Sequence, residues 1–170
     1  ARRLIGRDGD VEAVASAMRS HRLVTLAGVG GVGKTRLALE VAGVLADKFP
    51  DGVWVFELAS VADPAAVPDA VAAVLGITQQ PGTTMSESVA ATLEGRVRLL
   101  VFDNCEHVVD AAADLIDLIL ARSATVEILS TLTTPDRGRA TVAGHDVVAD
   151  PALVRRSIML TGQHVALDDM

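Results

Sequence analysis

The stretch that decides the fold begins at residue 23 and reads Leu23-Val24-Thr25-Leu26-Ala27-Gly28-Val29-Gly30-Gly31-Val32-Gly33-Lys34-Thr35. Its first four residues are apolar or β-branched and predict a short strand that leads into a loop of glycines. After the loop, Leu37, Val41 and Leu45 recur at the spacing of one helical face. The stretch therefore predicts a strand, a glycine loop and a helix in direct succession.

The loop itself matches the pattern G-x-x-x-x-G-K-[ST] at Gly28, Gly33, Lys34 and Thr35. Glycines reach backbone angles that strain other residues, so successive N–H groups can turn inward around phosphate oxygens. The following helix presents its positive end there, and the Lys34 ammonium is expected to reach the β- and γ-phosphates. The alternative is a glycine-rich turn that only happens to precede a helix. The predicted nucleotide contacts are Gly28, Val29, Gly30, Gly31, Val32, Gly33, Lys34 and Thr35.

A carboxylate suited to magnesium follows the next strongly apolar run. Residues 97–102 are nearly all apolar, as in a strand buried on both faces, and the run ends in Asp103. A triphosphate site needs such a carboxylate at the end of a neighbouring strand, to hold magnesium through its water shell. Asp103 and the Thr35 hydroxyl are therefore the predicted magnesium ligands, although an Asp after a strand is often a helix cap or a turn residue.

Hydrolysis needs one more group, an acceptor that orients the attacking water. The residue after Asp103 is Asn104, and the nearest glutamate is Glu106. Glu106 is the candidate if the turn aims it inward; the alternative is an exposed cap on a helix from His107. The predicted catalytic residues are Lys34, Asp103 and Glu106.

Three further side chains invite a chemical role but have simpler explanations. His107 carries an imidazole that could act as a base, yet a histidine at a helix start without a partner is more often structural. Cys105 reads as a small packing residue, since nothing nearby marks it as a nucleophile. Trp54 falls in a predicted strand, which favours core packing over base stacking.

The rest of the chain alternates strand and helix patterns, which predicts a parallel sheet with helices on both faces. Thr84 and Glu87 have the spacing of a capping box. The predicted elements are a helix from Asp8 to Ser20, a strand at 53–56, a helix from Pro68 to Gly76, a helix from Thr84 to Gly95, a helix with Val108, Ala112, Leu115, Ile119 and Leu120 on its apolar face, a strand at 126–129, an edge strand within 141–148 and a helix cap at Asp150-Pro151.

Composition narrows the class of protein. The 170 residues fit one domain, with a formal net charge of −7 and 2% aromatic residues. An acidic chain poor in aromatics argues against direct nucleic-acid binding, which relies on clustered Lys and Arg or on base stacking. The chain has a single cysteine, no apolar run long enough to span a membrane and no secretory signal, which together predict a cytoplasmic protein.

Two longer blocks resemble a known family. Residues 21–38, which include the loop, and Leu99-Leu100-Val101-Phe102-Asp103-Asn104-Cys105-Glu106-His107 resemble bacterial signal-transducing ATPases of the STAND class. The likeness is closest to the NB-ARC-like (AP-ATPase) domains of LuxR-type and SARP-type transcriptional regulators, and it runs from about Leu4 to Pro135. The block Asp51-Gly52-Val53-Trp54 with Asp63-Pro64 is similar to the family's second strand and following loop.

The resemblance implies the fold and its divisions. It implies an α/β P-loop NTPase sandwich of three layers, in which residues 126–130 form a strand inserted between the P-loop strand and the Asp-bearing strand. The chain then forms one nucleotide-binding domain over 1–170. This domain consists of an N-terminal segment and helix (1–20), a P-loop core (21–135) and a C-terminal segment without an assigned role (136–170).

The resemblance also implies further site residues. Leu4-Ile5-Gly6-Arg7-Asp8 is similar to the family's segment beside the adenine, so Ile5 and Arg7 are candidate base or phosphate contacts. Arg36, inside the resembling block, joins the candidate nucleotide-binding residues. The family's sensor arginine is Thr133 here, and losing a cation near the γ-phosphate implies slow hydrolysis unless Arg137 or Arg139 substitutes.

These features lead to one main hypothesis. The chain binds ATP or ADP with Mg2+, hydrolyses ATP slowly and acts as a switch for other domains of a longer, transcription-regulatory protein or through self-association. The first alternative is an inert module that uses bound nucleotide as a structural ligand. A remodelling or translocating ATPase of the same fold is the second, and the acidic charge argues against it.

Overall fold

The computed structural model describes residues 7–133 and, for the backbone, three short strands further along the chain. The helices are α1 (Asp8–Ser20), α2 (Lys34–Leu45), α3 (Val67–Leu75), α4 (Met85–Leu93) and α5 (Val109–Arg122). The strands are β1 (Leu23–Gly28), β2 (Val53–Glu57), β3 (Leu99–Asp103), β4 (Glu127–Thr133), β5 (Thr141–Val142), β6 (His145–Asp146) and β7 (His164–Leu167). Short 3-10 turns at Ala46–Lys48 and Pro64–Ala66 follow α2 and precede α3.

The main sheet has the strand order β2-β3-β4-β1-β7 with parallel neighbours throughout. The inserted strand is confirmed, because β4 lies between β1 and β3. It extends three residues further than the segment 126–130, to Thr133. Because all five strands are parallel, their carboxyl ends converge at the same edge of the sheet.

The edge strand expected within 141–148 is not part of this sheet. β5 and β6 pair with each other in an antiparallel ladder, and β7 forms the edge beside β1 instead. Antiparallel strands can be joined by two residues, whereas a parallel strand needs a long crossover, so neighbouring segments pair locally. The helix cap expected at Asp150-Pro151 lies outside the described residues.

The sheet separates two hydrophobic clusters. The α1/α2 face buries Val24, Leu26, Leu99, Val101 and Leu129 beneath those two helices. The opposite face buries Leu23, Phe56, Leu100, Phe102 and Ile128 beneath α3, α4 and α5. β3 is buried along its whole length, as its unbroken apolar run predicts for a central parallel strand.

The helix ends follow their local sequence signals with one exception. The capping box is confirmed, since Thr84 accepts from the Glu87 amide and Glu87 accepts from the Thr84 amide. Gly76 ends α3 in the left-handed conformation. The expected helix start at His107 is wrong, because residues 105–108 form a turn closed by a hydrogen bond and α5 begins at Val109. Among the described residues, no helix is long and apolar enough to cross a membrane.

Candidate functional site

The glycine loop between β1 and α2 has the backbone that a phosphate cradle needs. Gly31 and Gly33 have φ values of +81° and +86°, in the left-handed region that disfavours residues with a side chain. Gly33 is also the N-cap of α2, and the first turn of α2 has no acidic side chain. The unpaired N–H groups and the positive end of the helix therefore face the loop without a carboxylate to neutralise them.

The Lys34 side chain folds back over this loop. It is only 7% exposed, and its Nζ donates hydrogen bonds to the Gly28 carbonyl at 2.8 Å and to the Val29 carbonyl at 2.7 Å. A buried ammonium is stable only when its donors find oxygen acceptors. The loop thus holds a cation next to the N-terminus of α2, an arrangement that fits a polyphosphate.

Asp103 ends β3 and lies next to the start of α2. Its carboxylate is 3% exposed, and its Oδ1 accepts a 2.9 Å hydrogen bond from the Thr35 hydroxyl. The two predicted magnesium ligands are therefore in contact. Asp103 caps no helix, because the N-cap of α5 is Val108 and has no side-chain cap.

Thr35 and Asp103 suit Mg2+, which needs few protein ligands, better than they suit a metal ion that is coordinated by protein side chains alone. Within residues 7–133 and the three short strands, no group of three His, Cys, Asp or Glu side chains could hold a metal ion. Mg2+ usually takes one or two protein oxygens and completes its shell with water and substrate phosphates. The Thr35 hydroxyl and the Asp103 carboxylate supply that number of oxygens.

Thr131, on the inserted strand, is a site residue that sequence reasoning missed. It is 2% exposed, and its hydroxyl donates to Asp103 Oδ1 at 2.5 Å while accepting from the Asn104 amide at 3.0 Å. Asn104 has a φ of +58°, the left-handed region that non-glycine residues seldom adopt. Thr131 therefore ties the carboxylate to the turn that follows it. A run of hydroxyl residues in an otherwise apolar strand is the only signal the sequence offered.

Glu106 points toward the tip of β4. Its Oε2 lies 3.4 Å from the Thr133 amide, which donates to it, so the carboxylate caps no helix. Thr133 in turn lies against the glycine loop, since a Cβ built on Gly30 would be 3.8 Å from the Thr133 methyl group. The turn thus aims Glu106 along the edge that carries the loop, and its catalytic role stays a prediction.

Cys105 is a packing residue, as expected. It is 5% exposed, and its amide donates to the Thr131 carbonyl at 3.3 Å. Burial raises the pKa of its thiol to about 12, and the nearby charges of Glu106 and Asp103 act in the same direction. At neutral pH the sulfur is therefore a protonated thiol and a poor nucleophile.

Arg7 connects α1 to the glycine loop. Its Nη1 donates to the Val32 carbonyl at 2.7 Å, and its Nε lies 3.4 Å from the Asp10 carboxylate. Of the other candidate contacts, Arg36 is exposed on the first turn of α2. Ile5, Arg137 and Arg139 lie outside the described residues.

His107 and Trp54 have structural surroundings. His107 is exposed, and its Nε2 lies 2.9 Å from the Val61 carbonyl, within hydrogen-bonding distance. Trp54 packs against the cluster beneath α3, α4 and α5, donates to the Asp51 carbonyl and has the Arg98 guanidinium 5.1 Å from its ring centre. Both side chains join loops to the body of the domain.

No protein-family model matches the chain. An uncharacterized protein of Mycobacterium tuberculosis is 36% identical over 129 residues, which are 76% of this chain and 33% of that protein. A candidate HTH-type transcriptional regulator of the same species is 38% identical over 118 residues, 69% of this chain and 13% of the regulator. The doxorubicin resistance ATP-binding protein DrrA of Mycobacterium tuberculosis is 65% identical over a shorter stretch of 48 residues, which are 28% of this chain and 14% of that protein. The chain spans about a third of the first relative and less of the others.

Solved structures share the architecture at low sequence identity. The ORC2 protein of Aeropyrum pernix, in ADPNP-ADP complexes, has a TM-score of 0.62 and 16% identity over 96% of this chain and 48% of that one. A STAND protein with a tetratricopeptide repeat sensor from Pyrococcus horikoshii has a TM-score of 0.52 and 14% identity over 100% of this chain and 24% of that one. The chain has a P-loop NTPase fold.

Proposed function

We propose that this chain is a nucleotide-binding switch domain that binds ATP or ADP with Mg2+, hydrolyses ATP slowly and regulates attached domains of a longer protein. The observation that supports it most is the convergence of three side chains at one edge of the sheet. Lys34 lies over the glycine loop, and Thr35 bonds Asp103 at 2.9 Å. Each of these groups has a partner in a magnesium–triphosphate complex.

Binding follows from this geometry. The amides of the loop and of the first turn of α2 donate to phosphate oxygens, and the Lys34 ammonium exchanges its bonds to the Gly28 and Val29 carbonyls for phosphate oxygens. Asp103 and Thr35 would hold magnesium, which would supply positive charge to neutralise the phosphates. Arg7, on the Val32 carbonyl, adds a positive charge beside the loop.

Slow hydrolysis is inferred from what stands at the tip of β4. Thr133 occupies the position where the resembling family carries an arginine, so this position supplies no cation for the γ-phosphate. A steady-state phosphate-release assay should give turnover well below one per second, since switches hold their nucleotide. Turnover of many per second would contradict a switch.

A much longer relative supports a regulatory role for this domain. One relative is named as an HTH-type regulator, and the chain spans only 13% of it, so a domain of this kind occurs there within a much longer protein. We infer a cytoplasmic setting in which bound ATP or ADP selects between arrangements of the attached domains, or between free and self-associated states. The net charge of −7 favours leaving any DNA contact to another domain.

The test of binding is Lys34→Ala, measured by calorimetric titration with Mg–ATP. The lost ammonium served phosphates directly, so affinity should fall roughly 10- to 100-fold, the range for a charge-assisted contact. Lys48→Ala is the matched control, because Lys48 is exposed at the opposite end of α2. Circular dichroism checks that both variants fold. Unchanged affinity in Lys34→Ala would refute the proposed site.

The alternative function is a module that binds nucleotide without hydrolysing it. Asn104, directly after Asp103, and Thr133 favour it, because neither can act as a base or a cation. Identifying the nucleotide that co-purifies and assaying phosphate release decide between the two. Magnesium-dependent release that disappears in Lys34→Ala rejects the inert module, and stimulation of release by DNA would instead favour a translocating ATPase.

A further inference from the structure

A second acidic residue lies beside Asp103 at the carboxyl edge of the sheet. β2 and β3 are parallel neighbours, and their register places Glu57 opposite Asp103. Adjacent strands are about 4.8 Å apart, so the two backbones are one strand spacing from each other. Neither the loop motif nor the local pattern around β2 marked Glu57.

The two carboxylates share one face of the sheet. Side chains alternate along a strand, and Val53 of β2 packs against the cluster that contains Leu99 beneath α2. Glu57, four residues after Val53, therefore projects to the α2 face. Asp103 points to the same face, because it bonds Thr35 of α2. Glu57 thus stands on the side of Asp103 away from the glycine loop.

The backbone of Glu57 is paired with β3, whereas its side chain has no hydrogen-bond partner among the described residues. The ladder continues past it, since the Leu58 amide donates to the Asp103 carbonyl at 3.0 Å. Its side chain is exposed at the edge strand, and in the described part of the chain its carboxylate makes no hydrogen bond or ion pair. Asp103 accepts from two hydroxyls and Glu106 from the Thr133 amide. Of these three carboxylates, Glu57 is the one that has no hydrogen-bond partner among the described residues, and its exposed side chain is open to water.

We propose that Glu57 is the catalytic carboxylate that orients the attacking water for ATP hydrolysis, a proposal that rests on the function inferred above. The water oxygen forms a bond to the γ-phosphorus, and the bond from that phosphorus to the β,γ-bridging oxygen breaks, leaving its electron pair on ADP. Glu57 accepts the proton of the water and passes it to solvent or to the released phosphate. Asp103, together with Thr35, would hold the magnesium ion, so the two carboxylates would have separate roles.

The experiment compares Glu57→Gln with Glu94→Gln and Glu106→Gln in the whole chain. Glu94 is the matched control, because it is an exposed glutamate that precedes β3 and so lies toward the opposite edge of the sheet. Phosphate release should fall roughly 100-fold or more in Glu57→Gln, the usual range for a lost general base. Its Mg–ATP affinity should stay within about twofold of the parent, because only the transition-state contact is removed. Glu94→Gln should retain most of the turnover, and Glu106→Gln compares the other candidate carboxylate directly with Glu57.

Each other outcome overturns the proposal in a distinguishable way. Parental turnover in Glu57→Gln excludes a catalytic role, and so does a large loss confined to Glu106→Gln. Loss of nucleotide affinity together with turnover would make Glu57 a binding or structural residue. A parent that binds Mg–ATP but releases no phosphate refutes catalysis by Glu57 and leaves nucleotide binding intact. A parent that does not bind Mg–ATP refutes the proposed function itself.

Discussion

Replacing Thr131 by valine tests how the Asp103 carboxylate is held in place. The two side chains have nearly the same shape, so the change removes a hydroxyl while leaving the strand packed. That hydroxyl donates to Asp103 and accepts from the Asn104 amide, and Thr131 is 2% exposed. Thr131→Val therefore takes one hydrogen bond from a buried carboxylate and leaves one amide without its acceptor.

The size of the effect follows from these two bonds. A hydrogen bond to a charged group contributes about 1.5–3 kcal/mol, and an unpaired buried amide costs about 1–3 kcal/mol. The added methyl group returns about 0.8 kcal/mol by burial. The free energy of unfolding should therefore fall by about 2–5 kcal/mol, a large share of the roughly 5–15 kcal/mol of a typical domain.

Urea denaturation of the parent, Thr131→Val and Thr131→Ser measures this change. Serine keeps the hydroxyl and loses only a methyl group, so it should recover most of the lost stability if the hydrogen bonds matter. Mg–ATP affinity should be lower in the valine variant than in the serine variant and the parent, because only the valine variant loses the hydrogen bond from residue 131 to Asp103. Equal stability of the valine variant and the parent would refute the reasoning, as would a serine variant no better than valine.

Two further substitutions test the loop and the opposite edge of the sheet. Gly33→Ala should lower the free energy of unfolding by about 1–2 kcal/mol, because the φ of +86° at this position strains any residue with a Cβ. Gly30 has no positive φ, so Gly30→Ala is the control and should lower the free energy of unfolding by less. Urea titrations that show equal losses for the two variants would contradict this. Burial raises the pKa of Glu127 despite the opposing charges of Lys48 and Arg22. The folded chain therefore binds this proton more tightly than the unfolded chain does. As a result, the stability that Glu127 contributes is lost as the pH rises from about 4.3, the usual pKa of a glutamate, through the raised pKa. Glu127→Gln should therefore gain stability relative to the parent between about pH 4 and pH 7, and a constant difference across that range would show that this carboxyl is not the cause.

The sequence predicted the elements whose signals are local. The glycine loop, the apolar periodicity of α2 and the capping box at Thr84 each depend on residues within one or two turns, and the structure confirms all three. The contact between Thr35 and Asp103 was also predictable, because the ends of parallel strands converge at one edge. The place of β4 between β1 and β3 came only from the family resemblance.

The missed residues depend on pairing between distant strands. Glu57 lies beside Asp103 because of the β2–β3 register, and Thr131 reaches Asp103 because β4 is inserted next to β3. Register is set by the packing of whole faces, which one sequence without its partners does not reveal. The late start of α5 has a related cause, since the Asn104 amide is held by Thr131 and the chain cannot become helical at once.

The position of Thr133 places the end of β4 beside the candidate site. As the last residue of β4, it adjoins the glycine loop on one side and donates its amide to Glu106 on the other. The segment that continues from Thr133 is therefore joined directly to a wall of the candidate site. A ligand that displaces Thr133 by a fraction of an ångström would therefore displace the start of the following segment directly, without a rearrangement of the hydrophobic core.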